Sequence, residues 1–325
     1  MHPAFSVIFL TTLIGLGQGL FLALYTGEVY ALFKVLPPQP AQQFYGVGSL
    51  LSLVFLCLGL FASFFHLGRP ERAWRSATRW RTSWLSREVI ALPAFMGAVF
   101  LYGVAHWMEL ETPVVYLGSV GLSIPMIIGA GATLLCFTLF VCTGMIYACL
   151  KFLQEWHSPL TVLNFILLGG ASGFTLATAF AWFTAPELVE FYGVWAIILT
   201  CAALVTRVAS LIRNTRLKPK STLQTAIGVR HTKVVQKAQG FMGGSFNTRE
   251  FFHHMPLAVV RSVKWVFLVL VFPVPVVFVG SGLASASVVL LVMAVAFQYA
   301  GLLAERWFFF AQANHPQNLY YQSIA

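Results

Sequence analysis

Eight long apolar runs make up most of this 325-residue chain: roughly Phe5 to Tyr25, Val47 to Phe65, Val89 to Trp107, Ser123 to Cys149, Leu160 to Phe183, Phe191 to Leu211, Trp265 to Gly282 and Ala286 to Ala304. A helix needs about 20 such residues to cross the hydrocarbon of a bilayer, and backbone inside that layer must satisfy its own hydrogen bonds. The expected fold is therefore an all-α integral membrane protein, a bundle of eight transmembrane helices forming a single membrane domain over residues 1–325. With 58% hydrophobic and 9% charged residues, the chain has too little polar surface for a soluble globule. No internal repeat or low-complexity tract divides it. The first run lacks a basic flank and is followed by seven more, so it does not read as a removable secretion signal.

Charge assigns the two ends of such a bundle. Of 20 Lys and Arg, only Lys34 falls on one side of the alternating spans, which instead holds Glu28, Glu109, Glu111, Glu187 and Glu190. The other side collects both termini, the basic loop 66–87, the turn from Lys151 to His157, the segment 213–264 and Arg306. Lys and Arg bias sets topology in short loops, so both termini are expected in the cytoplasm, with the protein in the cytoplasmic (inner) membrane. This bias, helped by membrane lipid headgroups, accounts for most of the net charge of +10. No motif supports nucleic-acid binding.

Chemistry concentrates between the second and third spans, in the run from His66 to Glu88. Arg69, Arg72, Arg75, Arg79 and Arg81 recur at spacings of two to four and are expected to line one face of an interfacial helix. Such a face suits an acidic partner, a quinone headgroup or lipid phosphate. His66 lies where one span leaves the bilayer and Glu88 where the next enters. Together they supply a neutral-range base and a carboxyl beside an apolar pocket, as a proton-coupled redox ligand requires. The bland alternatives are an ordinary interfacial histidine and a carboxylate in the first turn of a helix capped by Ser83 or Ser86. Trp74, Trp80 and Trp84 add stacking surfaces.

Other residue patterns argue against metal cofactors. The histidines His66, His106, His157, His253, His254 and His315 lie at span ends or in loops, and His2 and His231 are no better placed, so no haem is expected. Cys57, Cys136, Cys142, Cys149 and Cys201 form no Cys-x-x-Cys pair and read as small packing residues; no metal site is expected. Gly15, Gly17, Gly19, Gly129, Gly131, Gly169, Gly170 and Gly173 read as close helix packing, and Asn164, Gln298 and Ser172 as interhelical hydrogen-bonders.

The segments His66-Leu67-Gly68-Arg69-Pro70 and Thr82-Ser83-Trp84-Leu85-Ser86-Arg87-Glu88 resemble those of the membrane anchor subunits of the dimethyl sulfoxide reductase family. So do Lys151-Phe152-Leu153-Gln154-Glu155-Trp156-His157 and the stretch from Glu305 to Asn318, and the resemblance covers nearly the whole chain. It implies an eight-helix, quinone-handling subunit that anchors an iron-sulfur electron-transfer subunit and a molybdopterin catalytic subunit. The molybdopterin and iron-sulfur clusters would lie in those partners, and this chain's cofactor would be quinone (ubiquinone or menaquinone). His66 and Glu88 match the residues that family associates with its quinol site. Arg69, Arg87, Trp84 and Ser86 are expected to share that site, and Arg72, Arg75, Arg79 and Arg81 to dock the partner. No catalytic residue for the sulfur substrate is expected here.

Within the family, a cytoplasmic mouth favours the branch of cytoplasmic sulfite dehydrogenases, which pass electrons from sulfite oxidation to membrane quinone. The long segment from Ser221 to Met255, with Gly240, Gly243 and Gly244, also resembles that branch. The alternative is a quinol-oxidising anchor of a dimethyl sulfoxide or related reductase. A secondary transporter is a remote third reading, since it would need inverted repeats and broken spans; Pro125, Pro273 and Pro275 are the only candidate break points and read as kink-formers.

Overall fold

A computed structural model describes residues 1–118, 120–235, 237 and 250–320. The glycines Gly240, Gly243 and Gly244 lie outside the described residues. Eight helical segments among those described are long and apolar enough to cross a membrane. They comprise α1 (Phe5–Leu32), a π-helical turn (Ala41–Gly46) running into α2 (Val47–Phe64), α3 (Trp84–Trp107), α4 (Ile124–Ala148), α5 (Pro159–Thr184) and α6 (Val189–Thr215). Past the short α7 (Leu223–Ile227), the seventh span is made of two pieces, α8 (Leu257–Val271) and α9 (Pro273–Ala284), and the eighth is α10 (Val288–Ala311).

Capping chemistry explains several starts. The hydroxyls of Ser83, Ser123 and Ser158 accept backbone N–H groups in the first turns of α3, α4 and α5. Pro125 and Pro159 sit in the first turns of α4 and α5, where a missing N–H costs nothing. Pro125 thus begins a helix and does not kink one. At Phe272, φ −113° and ψ −76° separate α8 from α9, because Pro273 and Pro275 cannot continue the hydrogen-bond ladder. The interruption is confined to one residue of the 28-residue span Leu257–Ala284. A two-stranded hairpin, β1 (Pro113–Leu117) and β2 (Val120–Ser123), joins α3 to α4, with Gly118 in the left-handed conformation at φ 64°.

α1 is the central helix. It packs against α2, α4, α5 and α10 and buries residues on all sides, from Ile8 to Glu28. Glycine permits its tightest crossing: a Cβ on Gly19 would lie 2.0 Å from the carbonyl oxygen of Gly169, and one on Gly173 would lie 1.9 Å from the carbonyl carbon of Gly19. Gly17 and Gly129 are also in close contact, whereas Gly131 faces open space and Gly15 and Gly170 have ordinary clearances. Thr206 donates to Asn164 at 2.8 Å between α5 and α6, and Gln298 donates to Thr200 at 3.2 Å between α10 and α6. Ser172, by contrast, donates to Gly169 within its own helix. Outward-facing Leu50, Leu134, Phe183 and Val205 leave an apolar surface suited to lipid.

Contacts separate two ends of the bundle. At the end bearing Met1, the Met1 amino group donates to Ala313 O at 2.7 Å, Trp156 Nε1 to Phe309 O at 2.8 Å and Arg213 to Gln154 O at 3.1 Å. At the opposite end, Gln42 donates to Trp107 O and Tyr25 to Met126 O, both at 3.1 Å.

Candidate functional site

The loop after α2 folds as a ten-residue 3-10 helix, Pro70–Arg79, with no buried residue. Its period of about three residues per turn stacks side chains at i and i+3, so Arg72 and Arg75 stand one above the other. Arg72, Arg75, Arg79 and Arg81 are all exposed, and Arg72 pairs loosely with Glu71 at 3.8 Å. The interfacial helix expected from the arginine spacing is therefore present in the tighter 3-10 form.

Two side chains of α3 hold this helix and the turn after it. The buried Ser86 hydroxyl donates to Ser76 O. Arg87 donates through Nε to Trp80 O and through Nη2 to Arg81 O, both at 2.9 Å, and its guanidinium lies 4.2 Å from the ring centre of Trp84. Arg87, Trp84 and Ser86 are thus occupied in shaping the loop. His66 is exposed in the turn leaving α2, where partial burial lowers its pKa from the ordinary imidazole value; Arg69 is exposed beside it.

Glu88 is turned the other way. Ser83 caps α3, accepting the Ser86 N–H at 3.3 Å, so the carboxyl of Glu88 is not needed there. It instead accepts the hydroxyl of Thr143 on α4 and lines a crevice between α1, α3, α4, α5 and α10. Leu10, Ile14, Phe140, Phe165, Leu168 and Leu302 supply the apolar walls, and Arg306 is the second charged group. Thr11, Thr12 and Ser172, which also line the crevice, donate to carbonyls of their own helices, and Gln18 donates to Cys136 O at 2.9 Å. The crevice is narrow, with a cavity volume of about 20 Å³: a water molecule fits, and an aromatic ring enters only if side chains move. Among the six residues expected at a quinone site, Glu88 alone lines it.

Sequence reasoning overlooked the charged group behind the crevice. Arg207 Nε lies 2.7 Å from Glu305 Oε1, and Arg306 Nε lies 3.5 Å from Glu305 Oε2. All three side chains are buried. Arg306 lays its guanidinium 3.7 Å from the ring centre of Phe165. The signal was available: Arg207 is a charge inside the sixth apolar run, and intramembrane charges are costly unless paired or functional.

Comparison with known proteins agrees with this architecture. A family model described as "DMSO reductase anchor subunit (DmsC)" matches residues 1–319. The chain is also 60% identical, over 326 aligned residues and the full length of both proteins, to a protein of Allochromatium vinosum described as a subunit of sulfite dehydrogenase. A match over nearly every residue, on an eight-span bundle with the expected loop, leads to one conclusion: the chain belongs to the DMSO reductase anchor subunit (DmsC) family, the membrane anchors of multi-subunit oxidoreductases.

Proposed function

We propose that this chain is the membrane anchor and quinone-binding subunit of a molybdopterin/iron-sulfur complex, passing electrons from cytoplasmic sulfite oxidation to membrane quinone. The observation that carries the reading is the crevice, which sets one carboxyl and one guanidinium among apolar walls next to the arginine-rich loop. Similarity to a protein named as a sulfite dehydrogenase subunit favours sulfite as the electron source. When bound, ubiquinone or menaquinone supplies an acceptor for two electrons and two protons.

This chain's residues do the rest. Glu88 holds and delivers a proton, with Thr143 steering one carboxylate oxygen. Arg306 offers donors to a carbonyl oxygen, fixed in place by Glu305 and Phe165. Phe140, Phe165 and the leucines exclude water and strengthen both interactions. His66 and Arg69 border the entrance from the loop, with Arg87, Trp84 and Ser86 shaping it. Arg72, Arg75, Arg79 and Arg81 face the iron-sulfur subunit or lipid headgroups, with the molybdopterin subunit beyond. On the charge bias, this face and both termini are cytoplasmic and the membrane is the inner one.

Glu88→Gln tests the reading. Turnover of the assembled complex is measured once with a quinone and once with a soluble dye that bypasses the membrane subunit. Removing a proton-transfer group typically costs about 10²- to 10⁴-fold, and the loss should appear with quinone only. Equal losses in both assays would refute the site. The reverse direction, quinol oxidation for dimethyl sulfoxide or a related acceptor, is the second reading and rests on the description of the family.

A further inference from the structure

At the end of the bundle opposite Met1 lies a buried cluster that the crevice does not use. His106, in the last turn of α3, is 1% exposed. Its Nε2 is 3.5 Å from Glu28 Oε1 on α1, and its Nδ1 is 3.8 Å from Glu111 Oε1 in the loop before the hairpin. Neither ring nitrogen has a hydrogen-bond partner among the described residues, although both are sealed from solvent. Buried polar atoms are rarely left this way; here each nitrogen has a carboxylate oxygen within 4 Å but makes no hydrogen bond to it.

The imidazole is held by its neighbours. Tyr45 stacks on it at 4.5 Å between ring centres and Tyr102 meets it edge to face at 4.6 Å. Tyr102 also donates its hydroxyl to Glu28 Oε2 at 2.6 Å. Only the outer member reaches solvent freely: the Glu111 side chain is 55% exposed, whereas those of His106 and Glu28 are 2% and 10% exposed. The other titratable groups nearby are Tyr25 on α1 and Tyr192 on α6, whose hydroxyl presses on Gly27, and Glu109 lies in the turn after α3.

We propose that Glu111, His106 and Glu28 form a proton port connecting the aqueous phase on this face with the interior of the bundle. A proton taken up by the Glu111 carboxylate passes to His106 Nδ1, and the proton on Nε2 leaves for Oε1 of the Glu28 carboxylate, whose Oε2 accepts the Tyr102 hydroxyl. Reverse transfer, from Glu28 to Nε2 and from Nδ1 to Glu111, restores the first tautomer, so protons exchange through the port, and an imidazole with one nitrogen near each carboxylate is the side chain suited to this exchange. The port shares α1 and α3 with the crevice: Glu88 and His106 are separated by about 27 Å of α3 at a rise of about 1.5 Å per residue. That separation is close to the hydrocarbon thickness of about 30 Å. A quinone reaction at the crevice would then be sensitive to the acidity of the opposite compartment, an extension that rests on the crevice reading.

Two measurements on the assembled complex test the port. Infrared spectroscopy after transfer to heavy water follows deuteration of the Tyr102 hydroxyl that donates to Glu28, its band identified by loss in Tyr102→Phe. Glu111→Gln, an exposed change with little risk to folding, and His106→Gln should slow that deuteration about tenfold or more. In sealed vesicles, a pH step of about two units on the Glu111 face alone should change quinone-linked turnover about threefold or more in the parent protein and leave both variants unresponsive. Unchanged deuteration in the variants, or parent turnover blind to the pH of that face, overturns the port. Glu88→Gln is run alongside: a crevice that fails keeps quinone turnover in that variant, a pattern distinct from failure of the port.

Discussion

Arg207 and Glu305 meet at 2.7 Å inside the bundle with both side chains 1% exposed, joining the sixth span to the eighth. Removing one partner of a buried ion pair leaves the other charge without compensation and typically costs about 3 to 5 kcal/mol. Arg207→Leu or Glu305→Leu alone should therefore lower the thermal stability of the detergent-solubilised complex sharply. The double variant should recover part of that loss, and a double-mutant cycle measures the recovery. Strictly additive effects would show that the two charges do not support one another.

Thr143→Val removes the hydroxyl that Glu88 accepts. Hydrogen bonds to charged groups contribute about 1.5 to 3 kcal/mol, so quinone-linked turnover should fall about tenfold or more while dye-linked turnover holds. Thr143→Ser should restore it. Retention of full quinone turnover in the valine variant would remove Thr143 from the site.

The arginine loop should divide by role. Alanine at two or more of Arg72, Arg75, Arg79 and Arg81 should release the soluble subunits from membranes as salt rises, because rim charges are screened. Arg87→Ala should act differently, since Arg87 holds the carbonyls of Trp80 and Arg81. Its expected signature is faster proteolysis within residues 70–81. Salt-titrated pelleting and limited proteolysis on the same membranes distinguish the two outcomes.

Orientation is tested by reporter fusions after Arg81, Lys237 and the final residue. The distribution of Lys and Arg predicts a cytoplasmic signal from all three. Periplasmic signals at any two would reverse the topology and with it the preference for sulfite oxidation.

Composition was enough to find the spans, and it missed where they end. Apolar content stops near Tyr25 and Ala304, whereas α1 continues to Leu32 and α10 to Ala311. A charged residue ends an apolar run but does not end a helix that offers it a partner: Glu28 meets Tyr102 and His106, and Glu305 meets Arg207. The boundary error therefore hid Glu28 and Glu305, the carboxylates of the two buried clusters, although Arg207 and His106 stood inside the runs. Glu88 was legible as a carboxyl near a membrane boundary, but its turn inward depends on Thr143, some 55 residues away in sequence. Neither the loop contacts of Arg87 nor the lining role of Arg306 has a local pattern to betray it.

The glycine contact between α1 and α5 also limits how the crevice can widen. With the backbones of Gly19, Gly169 and Gly173 in direct touch, the two helices have no side chains between them to rearrange and behave as one stiff wall. Any widening of the slit must come from the segments opposite, α3 and α4 carrying Glu88, Phe140 and Thr143, or α10 carrying Leu302 and Arg306. α3 is also the helix to which the 3-10 loop is fastened through Ser86 and Arg87. Attachment of a soluble partner to the outer arginines would thus bear mechanically on the movable side of the crevice and leave the fixed side in place.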